Sequence, residues 1–466
     1  MANKNLSTDE KEVNRARALL LDNQIIIELG ELFSQNRHEL YIVGGSVRDA
    51  LLGRVHDDFD FATDAAPDEI VKIVNEYADE LWKIGMQFGT IGLEKNNLKI
   101  EITTFRRELY NTDSRQPQVD FVASIETDLS RRDFTVNAMA FKLPSGEFLD
   151  LFNGLSDLTN RELKTPLSPE ESFSDDPLRM LRALRFVSTL ITEPAVEVLA
   201  SIKRLKKRLE IVSAERIQTE LSKLLLGLAP SQGLYYLATT GLADEFLPEL
   251  SELASCIDPL HRHKDLLEHT LTVVENVPAE LDLRLAALLH DIGKPRTKSF
   301  GPDGVHFYHH EILGAKMAKR RLRALKYPSK VIANVSSIIE MHMRFHTYRL
   351  GWADSAVRRY VRDCGPHLAK INQLVRADCT SRNPNQSRKF ALLLDELDQR
   401  IAYLEKEEES AKIRAPLNGN EVMEYLQLAP GPEVGKVMKA LLEARLEEKI
   451  LTKESAYKFI DKWLKK

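Results

Sequence analysis

The chain has 466 residues, 43% hydrophobic and 29% charged, with a formal net charge of −5. These are the proportions of a soluble globular protein with room for roughly three or four domains, and the net charge does not advertise a nucleic-acid binder. No run of about 18 apolar residues occurs, which excludes a spanning helix. The N-terminal MANKNLSTDEKEVNR lacks an apolar signal core, and Cys256, Cys364 and Cys379 lie far apart with no CxxC. A reducing, cytoplasmic location with no membrane attachment is therefore expected.

In chain order, Arg15 to Asn36 reads as one amphipathic helix, with Ala18, Leu19, Ile25, Ile26, Leu29 and Leu32 at helical spacing. Tyr41-Ile42-Val43 reads as a buried strand, Gly44-Gly45 as a turn, and Val47 to Leu52 as a short helix that Gly53 stops. Backbone N–H groups at Gly45 and the Arg48 guanidinium would face an anion placed at that turn. In Asp58-Phe59-Asp60-Phe61 the strand period of two puts both carboxylates on one face and both rings on the other. A lone pair of this kind is usually a solvated edge. Beside a Gly turn and an Arg it suggests Mg²⁺ held next to a phosphate. Pro67 starts a helix whose apolar face carries Ile70, Val71, Ile73 and Val74. Phe88 to Phe105 reads as two strands joined at Asn96-Asn97, with Glu101 on the face opposite Ile100 and Ile102.

The segment from Phe105 to Val119 is polar and aperiodic and reads as a loop. Adjacent Arg131 and Arg132 open RRDFTVNAMA, and paired guanidinium groups suit a triphosphate. Asp176 and Pro177 fit the N-cap and first position of a helix, which accounts for Asp176 without any function. It does not account for Arg179, Arg182 and Arg185, whose three-residue spacing sweeps one polar side of that helix. Ser213 to Glu220 opens a further helix. Two basic clusters, Lys203 to Arg208 and Lys316 to Lys330 with seven Lys or Arg, are the kind that most often form solvated helix faces. Nine of the twelve histidines fall between His261 and His346. Imidazoles mixed with carboxylates suit a divalent metal, and the doublet His290-Asp291 closes an apolar helix from Leu281 to Leu289. Beyond Cys379 come a long helix from Lys389 to Lys412 and three short helices divided at Pro430-Gly431-Pro432 and Ile450-Leu451-Thr452.

LYIVGGSVRDALLG, the Asp58/Asp60 pair, RRDFTVNAMA, LFNGLSDL, SFSDDPLRMLRALRFVS and SAERIQTEL stand in the order of the class II tRNA nucleotidyltransferases, a branch of the polymerase-β superfamily. Their wording is similar to the actinobacterial subgroup. The resemblance covers nearly the whole chain. It implies an α+β fold: a small mixed β-sheet nucleotidyltransferase head, an all-α neck, an HD-type helical body and a helical tail. The implied domains are an N-terminal helical extension at 1–36, the head at 37–160, a neck with a base-selecting motif at 161–255, an HD domain at 256–385 and a tRNA-binding tail at 386–466. The implied activity is template-independent addition of C, C and A to tRNA 3′ ends from CTP and ATP.

The same resemblance implies that Asp58 and Asp60 hold Mg²⁺ with Glu101 as a third carboxylate. It implies that Gly45, Arg48, Arg132, Arg182 and Arg185 grip the nucleotide, and that Asp176 and Arg179 select its base. Cytosine and adenine both place an amino donor beside a ring-nitrogen acceptor. A carboxylate next to a guanidinium accepts that order and rejects the reverse order of uracil and guanine. Asp175 stands where the family usually has Glu, and Asn153 where it usually has a small residue. His269, His290, Asp291 and Asp378 are similar to the HD phosphohydrolase metal signature, with His310 and His342 as ligands of a second ion. Mn²⁺, Ni²⁺ and Mg²⁺ all suit that site. Poly(A) polymerase and partial CC- or A-adding enzymes are rivals within the same chemistry. The intact polar loop at 105–119 favours full CCA addition over CC addition. An HD phosphohydrolase with a vestigial head, or an RNA-binding scaffold, is disfavoured by the retained Asp58 and Asp60. The sequence sets no oligomeric state.

Overall fold

The computed structural model describes residues 8–54, 58–83, 85–109, 118–121, 124–256, 265–301, 304–379, 384–412, 415–446, 450 and 452–463. The chain divides into two compact units, Met1–His342 and Met343–Lys466. The division falls inside the 256–385 segment assigned to one domain from sequence. Among the described residues no helix is long and apolar enough to cross a membrane.

The first unit opens with α1 (Thr8–Leu21) and α2 (Gln24–Gln35), where one continuous helix was expected. The break is local chemistry: the Asn23 side chain accepts from the Ile25 N–H at 3.1 Å and caps a new helix start. The strands that follow are β1 (Leu40–Val43), β2 (Asp58–Thr63), β3 (Glu80–Trp82), β4 (Thr90–Lys95), β5 (Leu98–Thr104), β6 (Arg106–Leu109), β7 (Gln118–Phe121), β8 (Met139–Leu143) and β9 (Glu147–Asp150). Seven of them make one mixed sheet in the order β3-β4-β5-β2-β1-β8-β9, parallel only between β2 and β5. Asn96 and Asn97 both adopt positive φ (50° and 64°) in the two-residue turn between β4 and β5, as the Asn-Asn pair predicted.

β6 and β7 pair with each other, Arg106 opposite Phe121 and Glu108 opposite Val119. The stretch expected to be a loop is therefore a two-stranded ribbon at its ends, while 110–117 lies outside the described residues. Its apolar alternation rests on Val119 and Phe121 alone, too short for a periodicity argument.

Helices of the same unit are α3 (Gly45–Leu51), α4 (Pro67–Val74), α5 (Ile125–Ser130), α6 (Gly154–Asn160), α7 (Pro169–Asp175), α8 (Leu178–Leu190), α9 (Val196–Leu205), α10 (Ala214–Leu225), α11 (Pro230–Thr239), α12 (Pro248–Ser255), α13 (Leu266–Asn276), α14 (Leu281–Leu289), α15 (Lys294–Thr297), α16 (His310–Ala324) and α17 (Ser329–Met341). Asn153, just before α6, has φ 59°, a conformation that Asn tolerates better than most residues. A side chain at Gly154 would meet the Thr135 carbonyl at 2.2 Å, so α6 can lie against the RRD segment only with glycine there. Buried Arg284 on α14 donates to the carbonyls of Leu225 and Gly227, which close the C-terminal end of α10.

The second unit contains α18 (Asp354–Cys364), α19 (Leu368–Asp378), α20 (Pro384–Lys412), α21 (Gly419–Leu426), α22 (Pro432–Leu446) and α23 (Lys453–Trp463). The last three share a core that includes Leu417, Val422, Leu441 and Ile460. Asn418 and Glu421 form a capping box at the start of α21.

Candidate active site and metal centre

Strand β1 leads through Gly44, at φ 69°, into α3. A side chain at Gly44 would lie 2.9 Å from Arg132 Nη1 and 3.8 Å from Asp60 Oδ2, so the turn is also a point of close approach. β2 presents Asp58 and Asp60 outward and buries Phe59 and Phe61. The Asp60 backbone N–H donates to Ser46 Oγ at 3.1 Å, which fixes the strand against the turn. In the parallel neighbour β5, Glu101 is the register partner of Asp60. Although Asp60 faces outward, the protein crowded around its carboxyl displaces water and pushes it above its ordinary range; Arg132 opposes that, and Asp58 reinforces it. Burial, then Asp60, then Asp58 push Glu101 up in the same way. The three carboxylates thus lie in one electrostatic neighbourhood, and crowded like charges are suited to a shared divalent cation.

A cavity of about 300 Å³ opens beside them, lined by Gly44, Gly45, Asp60, Arg131, Arg132, Asp133, Asn137, Asp176, Arg179, Arg182 and Arg216. Of the residues singled out from sequence it brings together Gly45, Asp60, Arg132, Asp176, Arg179 and Arg182. Arg131 and Arg132 both bind buried Asp128, at 2.8 and 3.0 Å. Burial alone would raise Asp128, but the two guanidinium groups outweigh it and hold the carboxyl low.

Arg48 does not line the cavity. It donates to Asn137 Oδ1 at 2.7 Å and to its neighbour Asp49 at 2.8 Å. Asn137 in turn donates to Asp133 at 2.8 Å, and Arg182 binds Asp133 at 2.5 Å. Burial works against Asp133, but Arg182 and the Asn137 hydrogen bond hold its carboxyl far below the usual range. Glu220 receives Arg182 at 3.4 Å and Arg185 at 2.9 Å. Arg185 also stands outside the cavity, stacked 4.1 Å above the Phe186 ring. Burial pulls its pKa down to about 10 despite Glu220.

Asp176 precedes the expected helix but lies one residue further from it, since α8 begins at Leu178. Its Oδ1 still accepts from the Leu178 N–H at 3.1 Å, so it caps the helix as predicted. Arg179 is buried and committed to Ser172 Oγ at 2.9 Å and the Arg131 carbonyl at 2.6 Å. The guanidinium that lies against Asp176 belongs instead to Arg216 on α10, at 3.1 Å from Oδ2. Sequence reasoning assigned Arg216 no function. The signal available was its place in SAERIQTEL, but nothing local shows that α10 faces the start of α8.

In the second candidate site, His269 on α13, His290 and Asp291 after α14, His310 at the start of α16 and His342 after α17 converge. Two groups have ligand atoms within 4.8 Å of one another: His269 with His290 and Asp291, and Asp291 with His310 and His342. Nδ1 of His290, His310 and His342 lies 2.8, 2.9 and 2.6 Å from the carbonyls of Ala287, Phe307 and Ile339. A carbonyl only accepts, so each Nδ1 carries the proton and each Nε2 keeps a lone pair. This is the tautomer a metal ligand needs.

Asp291 is 3.3 Å from His290 Nε2, 3.4 Å from His310 Nε2 and 3.6 Å from His269 Nε2, with Lys294 Nζ at 2.5 Å. Burial would raise its carboxyl, but the groups that face it, His290 and Lys294 first, hold it well below the ordinary range. Burial also pulls the His310 imidazole below its ordinary range, against the opposing pull of Asp291. A side chain at Gly293 would meet the His310 carbonyl at 2.2 Å, so the glycine after the doublet lets α16 close on the site. Asp378 ends α19 in the other unit. His261 and His263 lie outside the described residues.

Three family models match the chain: the Poly A polymerase head domain over residues 40–164, the probable RNA- and SrmB-binding site of polymerase A over 193–253, and the HD domain over 266–383. Nucleotidyltransferase and HD folds imply the use of divalent metal, and the carboxylate face and the histidine cluster are fitted to it. A CCA-adding enzyme of Levilactobacillus brevis is 41% identical over 272 residues, 58% of this chain; the match spans 62% of that protein, under two thirds of its length. An A-adding tRNA nucleotidyltransferase of Deinococcus radiodurans is 34% identical over 442 residues, 91% of this chain and 95% of that protein. The crystal structure of the Bacillus stearothermophilus CCA-adding enzyme in complex with CTP matches with a TM-score of 0.57 and 26% identity, covering 97% of this chain and 98% of the other.

Proposed function

This chain belongs to the tRNA nucleotidyltransferase family, and on that premise we propose that it adds C, C and A to tRNA 3′ ends from CTP and ATP without a nucleic-acid template. The observation that carries the reading is the cavity in which Gly44, Gly45, Asp60, Arg132, Asp176, Arg179 and Arg182 face one another. In each cycle the terminal 3′-hydroxyl oxygen bonds to the α-phosphorus, the bond to the β-phosphate bridge breaks, and pyrophosphate leaves with the proton lost to solvent. Asp58 and Asp60, with Glu101 beside them, would hold Mg²⁺, which supplies charge neutralisation on the phosphates and a lowered pKa for the hydroxyl. Arg132 and Arg182 meet the triphosphate, and Gly44 and Gly45 let it approach the backbone. Arg48 and Arg185 brace the site: the first holds Asn137, the second holds Glu220 against Arg182. At the cavity wall Asp176 accepts from the amino group shared by cytosine and adenine, and Arg179 donates to the ring nitrogen beside it.

Addition of A alone is the second reading, favoured by the A-adding relative matched over 91% of the chain. One experiment separates them. tRNAs trimmed to the discriminator base, to C and to CC are offered CTP and ATP, separately and together, and their 3′ ends are sequenced. Full CCA on all three supports the first reading; extension of the CC-ended tRNA alone supports the second.

We further infer that the histidine cluster is a metal-dependent phosphohydrolase site. His269, His290, Asp291, His310 and His342 would hold the ion or ions, and Mn²⁺, Ni²⁺ and Mg²⁺ suit these donors. Bound there, a divalent metal supplies an activated water and a polarised phosphate. Fixed Nδ1–H groups orient three of the imidazoles, and Lys294 holds Asp291. The substrate is a phosphomonoester or 2′,3′-cyclic phosphate at an RNA end, which would otherwise block nucleotide addition. Metal content and phosphate release from these substrates test it; a wild type that binds no metal overturns it.

A further inference from the structure

The basic cluster on α16 takes no part in either site. Lys316, Lys319, Arg320 and Arg323 are all exposed and stand at i, i+3, i+4 and i+7, so they form one strip along the helix. The opposite face, with Ala315, Met317, Ala318 and Leu322, is buried in the unit. Arg321 lies off the strip and is neutralised by buried Glu249 at 2.8 Å. None of the four strip residues has an ion pair among the described residues. No acidic residue stands three or four positions from any of them.

Four like charges at helical contact spacing weaken the helix modestly, a cost that a bound polyanion would relieve. In a protein of net charge −5 this concentration of cations is a local exception. From Lys316 to Arg323 the strip runs about 10 Å along the axis, long enough to meet several phosphates of a nucleic-acid duplex. An anionic lipid surface fits less well. A membrane-surface helix offers apolar side chains between its cations, and here the apolar face is buried.

We propose that the outer face of α16 is a docking strip for the phosphate backbone of an RNA substrate. The proposal rests on the reading of the chain as an enzyme acting on tRNA, and it locates a surface that reading does not supply. Contacts of this kind fix position without reading sequence. They act on RNA binding and leave nucleotide binding untouched.

The test is the fourfold variant Lys316→Gln, Lys319→Gln, Arg320→Gln and Arg323→Gln, beside the charge-conserving set Lys316→Arg, Lys319→Arg, Arg320→Lys and Arg323→Lys. All are exposed helix positions taking good helix formers, and circular dichroism checks the fold. tRNA binding is measured against salt from 50 to about 200 mM, where each lost phosphate contact lowers the log–log slope by about 0.7–0.9. The neutral variant is expected to lose about two to four from the slope and to raise KM for tRNA, with KM for CTP unchanged. The charge-conserving set is expected to match the wild type. An unchanged slope in the neutral variant overturns the proposal. So does a loss of binding to phosphatidylserine vesicles with the RNA slope intact. A wild type that extends no tRNA defeats the family-level reading instead, and the slope comparison still decides the strip.

Discussion

The nucleotide cleft and the histidine cluster handle charge in opposite ways. In the cleft almost every guanidinium is already matched to a carboxylate: Arg132 to Asp128, Arg182 to Asp133 and Glu220, Arg216 to Asp176. Asp60, Arg132, Asp176, Arg182 and Arg216 stay partly exposed, and a ligand can exchange with these internal partners. The histidine cluster is buried almost throughout, and three of its imidazoles are oriented by carbonyls three residues earlier on their own segments. Rigid ligands bound by local backbone suit a resident ion; a web of long, paired side chains suits substrates that come and go. The first arrangement spreads its residues over α3, β2, α5, α8 and α10 and the segments between them, and the second takes each ligand from a helix end or helix face.

The comparison is broken most severely at the carboxylates. Asp58→Ala or Asp60→Ala is expected to reduce nucleotide addition by about 10³-fold or more, because several kcal/mol of transition-state stabilisation goes with the metal. Asp58 is exposed, so its variant should keep the wild-type melting temperature. Addition near the wild-type rate in either variant would rule out the assignment. In the other region, His290→Ala with Asp291→Ala should abolish bound divalent metal, measured by elemental analysis, together with phosphate release. Nucleotide addition should stay within about threefold. A joint loss of both activities with an intact circular dichroism spectrum would show that the two sites are not separable.

Base choice is a smaller effect and a sharper one. Asp176→Ala and Arg179→Ala should each lower discrimination of CTP and ATP against UTP and GTP by about ten- to a hundredfold, one lost base contact being worth roughly 1–3 kcal/mol. Arg216→Ala frees Asp176 Oδ2 and should shift selectivity less than either, with most of its effect on KM. Equal slowing of all four nucleotides would make Asp176 a helix cap only.

The smallest effect is on pH. Asp60 and Glu101 have raised carboxyl pKa values, so the folded state holds their protons more tightly than the unfolded state. Their contribution to stability is present below the ordinary carboxylate pKa and is lost as pH rises through the raised values. Glu101→Gln should therefore raise Tm slightly at pH 7 and leave it unchanged near pH 3. A lower Tm at pH 7 would mean that Glu101 makes a stabilising contact instead.

Much of this was legible in the residues. A period of two separates Asp58 and Asp60 from Phe59 and Phe61 whatever the tertiary context, and the Asn96-Asn97 turn and the Pro67 helix start are equally local. The break at Asn23 was missed because the apolar spacing continues across it while the cap acts through a single hydrogen bond. The pairing of β6 with β7 was missed because two four-residue strands are too short to leave a periodic trace.

By itself the sequence determined which chemistries the chain carries: carboxylates on a strand face, paired arginines, a His-Asp doublet closing an apolar helix. The reason is that periodicity, turn chemistry and capping act over a few residues. Only the tertiary structure decided which charges meet. Arg48 and Arg179 turn to partners inside the protein, Arg185 packs on Phe186, and Arg216 crosses from another helix to Asp176. A long guanidinium side chain takes the nearest acceptor in space, and neighbours 40 residues apart in the chain are set by how helices pack.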